Sequence, residues 1–362
     1  MNQMLAKLAG LGAFKDKAMM TPGGGASPAA TSEHCALRSA IDMLGESYRQ
    51  HPVPELERAI IDLRIAAFRE FQWPAPAVVP APGKAPVPNG QLAEIHARDL
   101  SAQVLQDAVA GGGGLIVRKL MEPAFAERMT ELIDAALEVR RDLHNGVDVG
   151  ERSRHFSRPN SVTGGPQQFK FKTEAERNGT TGSMWAVDSP PAACAMLEFY
   201  TQLGLPALMR ECFGEEGVLS VRKWVLRKAA PKPEGLAGWH QDGRFLGEGI
   251  RSINLWVALS HCGADASAPG MEIVADHRKR IHETGTRGAY FDWVVGPELV
   301  KELAANTPVL EPEFFPGDGL FFDHFNLHRT QCSTRQTDCR YAVESWFFAA
   351  SNAPVKTTPL VL

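Results

Sequence analysis

The spacing of hydrophobic and polar positions changes part-way along the chain. Up to about residue 213 apolar residues recur at helical intervals. In 54–72, Leu56, Ile60, Leu63, Ile65 and Ala67 are spaced among Glu55, Arg58, Asp62 and Arg64, the pattern of a helix with one buried face. Helices are likewise expected over 34–50, near 92–110, from Pro123 to about Arg141, and over 192–213 with a break at Gly204-Leu205-Pro206. Pro123 suits a first helical turn, where a missing N–H has no partner to lose. The run Leu115-Ile116-Val117-Arg118-Lys119-Leu120 reads as a strand. The helices before residue 72 make a poor core by themselves and are expected to dock on the main body.

From residue 218 onward the texture is different. Val218 to Leu226, Arg251 to Leu259, Met271-Glu272-Ile273-Val274, Gly319-Leu320-Phe321-Phe322 and Tyr341 to Phe348 are short, β-branched or aromatic, and separated by Gly/Pro turns. Gln168 to Lys172 alternates in the same way. Short strands without α/β alternation predict a sandwich or barrel, so the fold class is mainly β with flanking helices. There is no internal repeat.

Composition adds boundaries and exclusions. Residues 1–33 are loosely patterned, and Thr21 to Pro28 has little to bury. Six prolines between 73 and 90 mark an extended linker. The expected organisation is therefore a flexible segment plus helical extension over 1–72, a linker over 73–90 and a main domain over 91–362. A net charge of −4 and the lack of a basic stripe give no reason to expect nucleic acid. No apolar run approaches ~18 residues, so no membrane span is expected, and Met1 to Met20 lacks the apolar core of a signal peptide. Six scattered cysteines without a C-x-x-C pair suit free thiols in the cytoplasm. Gly111 to Gly114 precede a strand and carry no phosphate-loop lysine, so they are not a nucleotide loop.

The chemistry concentrates in Gly238-Trp239-His240-Gln241-Asp242-Gly243. If this stretch is extended, His240 and Asp242 point to one face. They would then supply two-thirds of a 2-His-1-carboxylate set, which holds Fe(II) and leaves open positions for a bidentate 2-oxo acid and O₂. An isolated H-x-D also arises by chance in many chains. The third ligand would come from Phe322-Asp323-His324-Phe325-Asn326-Leu327-His328, where His328 and His324 are both candidates. A guanidinium is needed for the distal carboxylate of the co-substrate, and Arg340, opening a strand, suits it better than Arg335 in a loop. The same three ligands would also accept zinc, so a zinc hydrolase or isomerase on a cupin-type barrel, or a non-catalytic binding protein of that fold, are alternatives. Arg152, Arg154, His155 and Arg158 form a basic cluster that reads either as a solvated loop or as an anion-binding wall, which leaves an anionic small-molecule substrate among the options.

At these residues the sequence resembles the phytanoyl-CoA dioxygenase family of Fe(II)/2-oxoglutarate-dependent oxygenases. The matching pieces are Trp239 to Gly243, Ile253 to Leu259, Ala268 to Val274, Pro316 to Phe322 leading to His328-Arg329-Thr330, and Arg340. The resemblance covers about 218–350, extends more weakly from about 95, and omits the first ninety residues. It implies a double-stranded β-helix (jelly-roll, cupin-like) core, with His240, Asp242 and His328 as iron ligands in preference to His324. It implies that Arg340 pairs with 2-oxoglutarate and that Gln241, Trp256 and Thr330 help line that co-substrate's seat. A co-substrate lysine of the family has no clear match, Lys170 and Lys172 being weak candidates. His277 matches a structural histidine. Because Asp242 holds a position that related halogenases give to a small residue, hydroxylation is favoured over halogenation. The implied reaction is hydroxylation of a C–H bond with decarboxylation of 2-oxoglutarate to succinate and CO₂. Substrate contacts are expected in 276–297 and in the arginines of 152–158.

Overall fold

Among the described residues eight strands join in one mixed sheet, and their alternation decides which face meets the helices. In the computed structural model the chain is described at residues 28–71, 73, 76–77, 83, 90–157, 174–177, 180–231, 238–275 and 279–362, with backbone only for 28–34 and 175. The strands are β1 (Ala93–His96), β2 (Leu115–Arg118), β3 (Gly182–Trp185), β4 (Gly217–Ala229), β5 (Ser252–Ala258), β6 (Met271–Val274), β7 (Val309–Leu310), β8 (Gly319–Phe322), β9 (Leu327–Thr330), β10 (Arg340–Ala349) and β11 (Pro359–Val361). The large sheet runs β1-β2-β8-β5-β10-β4-β11, with β3 also paired to β4, and a small sheet runs β7-β6-β9. Among the described residues only β1 and β2 pair in parallel; the other pairs are antiparallel.

β5 is buried along its whole length because both of its faces are covered. Ile253, Leu255 and Val257 join Phe321, Val343 and Phe347 in a core shared with the helices. Trp256 and Ala258 face the other way, with Leu320, Phe322, Trp346 and Phe348, toward Met271 and Ile273 of the small sheet. This is the period-two alternation of a strand. The described residues therefore form two packed sheets with helices on one outer face, and no closed barrel is seen among them.

The helices Pro28–Gln50 and Pro54–Glu70 bury Leu44, Ile61 and Ile65 in the core that also holds Tyr200 and Leu360. Arg38 and Arg64 donate to the Leu362 and Val361 carbonyls, tying these helices to the last strand. Pro123 does open a helix, Pro123–His144, and the 192–213 region divides into Pro190–Gln202 and Leu205–Phe213 around Gly204.

The expected helix near 92–110 is half right. Residues 93–96 are strand β1, paired to β2, and the helix starts at Ala102, where the Ser101 hydroxyl accepts from the Val104 N–H at 3.3 Å. A side-chain acceptor at that position satisfies an otherwise unpaired helical N–H, so Ser101 sets the start. Most of the proline-rich linker, the strand expected at 168–172, Arg158 and His277 lie outside the described residues.

Candidate metal centre

A cavity of about 390 Å³ opens between the two sheets. Its floor is the inner face of the large sheet: Lys223 and Arg227 on β4, Asn254 and Trp256 on β5, Phe322 on β8, Arg340 and Glu344 on β10. Met271, His328 and Thr330 come from the small sheet, and Gly238, His240, Asp242, Phe245 and Trp293 from loops.

His240 and His328 are set side by side by a backbone bridge. The His240 N–H donates to the His328 carbonyl at 3.0 Å, and the His328 N–H donates back at 3.1 Å. Their ring centroids lie 4.5 Å apart. Asp242 reaches the same point by a different route from the one expected. It is not on an extended strand: its φ of −64° and ψ of −24° are helical, and it leads into the single turn Gly243–Leu246. The Gly243 N–H donates to the His324 carbonyl at 2.9 Å, and a Cβ at Gly243 would lie 2.4 Å from Ile281 Cδ1 and 3.0 Å from that same carbonyl. The close approach bends the chain back, so bridge plus turn, not strand alternation, brings histidine and carboxylate together.

One ligand atom from each of His240, Asp242 and His328 lies within 4.8 Å of the other two. His328 Nε2 is 3.8 Å from Asp242 Oδ2. The other nitrogen of each ring faces a carbonyl: His240 Nδ1 is 3.0 Å from Gly238 O, and His328 Nδ1 is 3.1 Å from Asn326 O. A proton on each Nδ1 donates to that carbonyl and leaves Nε2 with its lone pair toward the cavity, as a ligating imidazole requires. Burial, and then the neighbouring His240, pulls His328 down to about 4 against the influence of Asp242, so it is neutral at pH 7. Burial alone would raise the Asp242 carboxyl, but Lys223, His240 and His328 outweigh it and hold the group well below the usual carboxylate range. The three side chains form a 2-His-1-carboxylate set, the donor set of non-haem Fe(II) oxygenases.

His324 takes no part in this set. It sits in a turn, buried, with Nδ1 2.9 Å from Ser252 Oγ and Nε2 3.2 Å from the Glu248 carbonyl.

Arg340 is buried in the cavity wall and donates to the Pro269 and Gly270 carbonyls at 3.3 and 3.0 Å. Its guanidinium lies 5.4 Å from the centre of the Trp256 ring. Its Nε is buried without a partner, and no carboxylate among the described residues forms an ion pair with it. Burial draws its pKa down to about 10, still charged at pH 7. A buried cation without a counter-charge is costly, and this one faces a cavity with room for an anion. Trp256 and Thr330 line the same cavity, whereas Arg335 is exposed and donates to the Ala264 carbonyl.

Gln241 points away from the cavity. Its amide nitrogen donates to the Arg280 and Phe325 carbonyls at 2.9 and 2.6 Å, and its oxygen accepts from the His282 N–H at 2.7 Å. It ties the segment carrying the two ligands to two neighbouring loops. Arg152 is paired with Glu138 and Asp142, and Arg154 with Glu57; neither lines the cavity.

Two groups of the site escaped the sequence reading. Lys223 and Arg227 stand four residues apart on one face of β4. Lys223 Nζ is 2.7 Å from Asp242 Oδ1, and Arg227 Nε is 2.9 Å from Glu344 Oε2. The signal was available as Lys223 and Arg227 on the strand face opposite buried Trp224 and Leu226. Lys170 and Lys172 lie outside the described residues.

No family model matches the chain, and no curated protein matches it. Among solved structures, EctD from S. alaskensis with 2-oxoglutarate and 5-hydroxyectoine is similar at 15% identity and a TM-score of 0.43, over 67% of this chain and 73% of that one. The non-heme alpha ketoglutarate dependent epimerase SnoN from nogalamycin biosynthesis gives 15% and 0.40, over 66% and 78%. EvdO2 from Micromonospora carbonacea var. aurantiaca, complexed with 2-oxoglutarate, gives 14% and 0.42, over 69% and 89%. TM-scores below 0.5 assign neither fold nor activity to this chain, so its function rests on its own residues.

Proposed function

We propose that this protein is an Fe(II)/2-oxoglutarate-dependent oxygenase that hydroxylates a C–H bond of a small molecule, as its resemblance to the phytanoyl-CoA dioxygenase family implies. The observation that carries this reading is the pairing, in one cavity, of the His240–Asp242–His328 donor set with the buried, anion-free guanidinium of Arg340. His240, Asp242 and His328 would hold the iron. That iron would activate O₂, the oxidant, one of whose atoms would end in succinate as 2-oxoglutarate loses CO₂ and the other in the hydroxylated substrate.

The chain's own part is placement and exclusion. Arg340 offers fixed N–H donors to the distal carboxylate, a pairing that is strong when bidentate and shielded from water. Trp256 supports the guanidinium from one side, and Thr330 offers a hydroxyl on the facing sheet. Gln241 serves the site by holding the ligand segment. Two packed sheets bearing one metal corner accord with a double-stranded β-helix core over 91–362, carrying the 1–72 helices as an extension. No helix among the described residues is long and apolar enough to cross a membrane, and a cavity of about 390 Å³ suits a small-molecule substrate. The zinc reading uses the same three ligands but gives Arg340 no task.

The test is turnover of 2-oxoglutarate without substrate, with ascorbate as the two-electron reductant in the substrate's place. Succinate released in air with Fe(II), and not with Zn(II), is expected. Loss of that dependence, or a hydrolytic activity that Zn(II) supports, would overturn the reading.

A further inference from the structure

The loop beside the metal corner carries more aromatic surface than its own packing uses. Eight large hydrophobic side chains are exposed among the described residues, and three of them gather here: Phe245 (42% exposed), Tyr290 (73%) and Phe291 (51%). The Phe291 ring stacks on Trp293 at 5.8 Å with an interplanar angle of 7°. Phe245 stands 6.1 Å from Trp293, tilted by 50°. Trp293 in turn lies edge-on to the ring of His240 at 5.9 Å. Phe245 and Trp293 both line the cavity. A continuous run of ring contacts thus leads from open surface to a metal ligand.

This surface is held in place. The Val295 N–H donates to the Trp239 carbonyl at 2.9 Å, and the Gly285 N–H to the Val294 carbonyl at 2.9 Å. A Cβ at Gly238 would lie 2.4 Å from Val294 Cγ2 and 3.1 Å from Trp293 Cη2, so the glycine lets the loop close onto the ligand segment. Arg287 is paired with Glu283 at 2.8 Å and also with Glu302. Exposed apolar surface continuous with a pocket is characteristic of ligand binding.

We infer that Phe245, Phe291 and Trp293 form a ring-binding subsite at the cavity mouth, and that the substrate carries a flat apolar ring system, aromatic or fused. This rests on the oxygenase reading for what happens to the substrate, but not for its shape. A cavity of about 390 Å³ admits a small molecule and not a folded partner. A flat ring suits the wall better than a flexible chain does. It gains the offset and edge-on contacts that aromatic pairs prefer, and it freezes fewer rotors on binding.

The test uses the full chain loaded with Mn(II) and 2-oxoglutarate. The probes are 2-naphthylmethanol, followed by fluorescence anisotropy, and its saturated decahydro analogue, followed by competition. The two share a carbon skeleton, and the saturated one is the less flat. The naphthyl probe is expected to bind about tenfold tighter, with Phe291→Ala and Phe245→Ala each weakening it about three- to tenfold. Phe291→Ala should leave 2-oxoglutarate affinity unchanged, which separates lost stacking from a disturbed fold. Equal binding of the two probes, no binding of either, or unaltered naphthyl affinity in both variants would overturn the inference. If 2-oxoglutarate fails to bind the metal-loaded protein, the oxygenase reading fails by itself, and the probes repeated with Mn(II) alone still decide the subsite.

Discussion

The ammonium of Lys223 lies 2.7 Å from Asp242 Oδ1 inside the cavity, while Oδ2 of the same carboxylate faces His328 Nε2 at 3.8 Å. One oxygen is thus engaged by the protein, and the other is turned toward the metal corner. Removing one partner of a buried pair leaves the other charge uncompensated, at a cost of about 3 kcal/mol. Lys223→Met should therefore lower the melting temperature of the metal-free protein by several degrees. Adding Mn(II), a cation against the same carboxylate, should recover most of that loss. Equal melting of the metal-free variant and wild type would contradict this role for Lys223.

His328 gives the metal-free protein a pH dependence whose sign can be stated. Burial and His240 lower its folded pKa to about 4, whereas an unfolded histidine titrates near ~6.5. Between those values the unfolded chain binds more protons, so stability rises with pH across that window. The full contribution is present above about pH 6.5 and is lost as pH falls toward 4, by roughly 3 kcal/mol in total. Urea unfolding at a series of pH values should show this slope, and His328→Gln should flatten it. A slope that survives the substitution would place its origin elsewhere.

Arg340 is assigned the distal carboxylate of 2-oxoglutarate. Truncating one side of a buried charged pair costs about 2–5 kcal/mol. Arg340→Ala should thus raise the dissociation constant for 2-oxoglutarate by at least ~30-fold while Mn(II) binding is retained. Arg340→Lys should recover only part of the affinity, because an ammonium lacks the planar fork. Isothermal titration measures both, and unchanged affinity in the alanine variant would remove Arg340 from the seat.

Gln241 separates two roles. Its three hydrogen bonds to backbone, one of them to the buried His282 N–H, tie the ligand segment to 280–282 and 325. Gln241→Ala strands those backbone groups and should cost about 2–3 kcal/mol of stability, with weaker metal binding. In metal-saturated protein its affinity for 2-oxoglutarate should equal that of wild type. Loss of 2-oxoglutarate affinity at saturating metal would instead return Gln241 to the co-substrate seat.

The strands from 218 onward were legible because each is short and either alternates or is covered on both faces, as β5 is. Strand β1 was hidden inside a helical pattern, since four residues carry too little periodicity to compete with the helix that follows. That His240 and Asp242 act together was readable from their spacing, but the reason was not. The turn that aims Asp242 depends on Gly243 packing against Ile281 and His324, a contact between segments far apart in sequence. His328 and His324 could not be ranked by spacing; the backbone bridge to His240 and the hydrogen bond to Ser252 separate them. Lys223 was missed because a charged residue on a half-buried strand looks solvent-facing until the opposing sheet is placed. The aromatic mouth was not read from the sequence, since ring stacking has no linear signature; Phe291 and Trp293 fall within 276–297, where substrate contacts are expected, and Phe245 does not.

We place the iron on His240, Asp242 and His328, beside a 2-oxo acid seated on Arg340. The most direct measurement is an anaerobic titration with Fe(II) and then 2-oxoglutarate, watching for the weak visible metal-to-ligand charge-transfer band of a chelated 2-oxo acid. The band should appear at one iron per chain, persist in His324→Gln, vanish in His328→Ala, and require far more 2-oxoglutarate in Arg340→Ala. Iron bound without any band, or a band that survives the loss of His328, would rule out this ligand set.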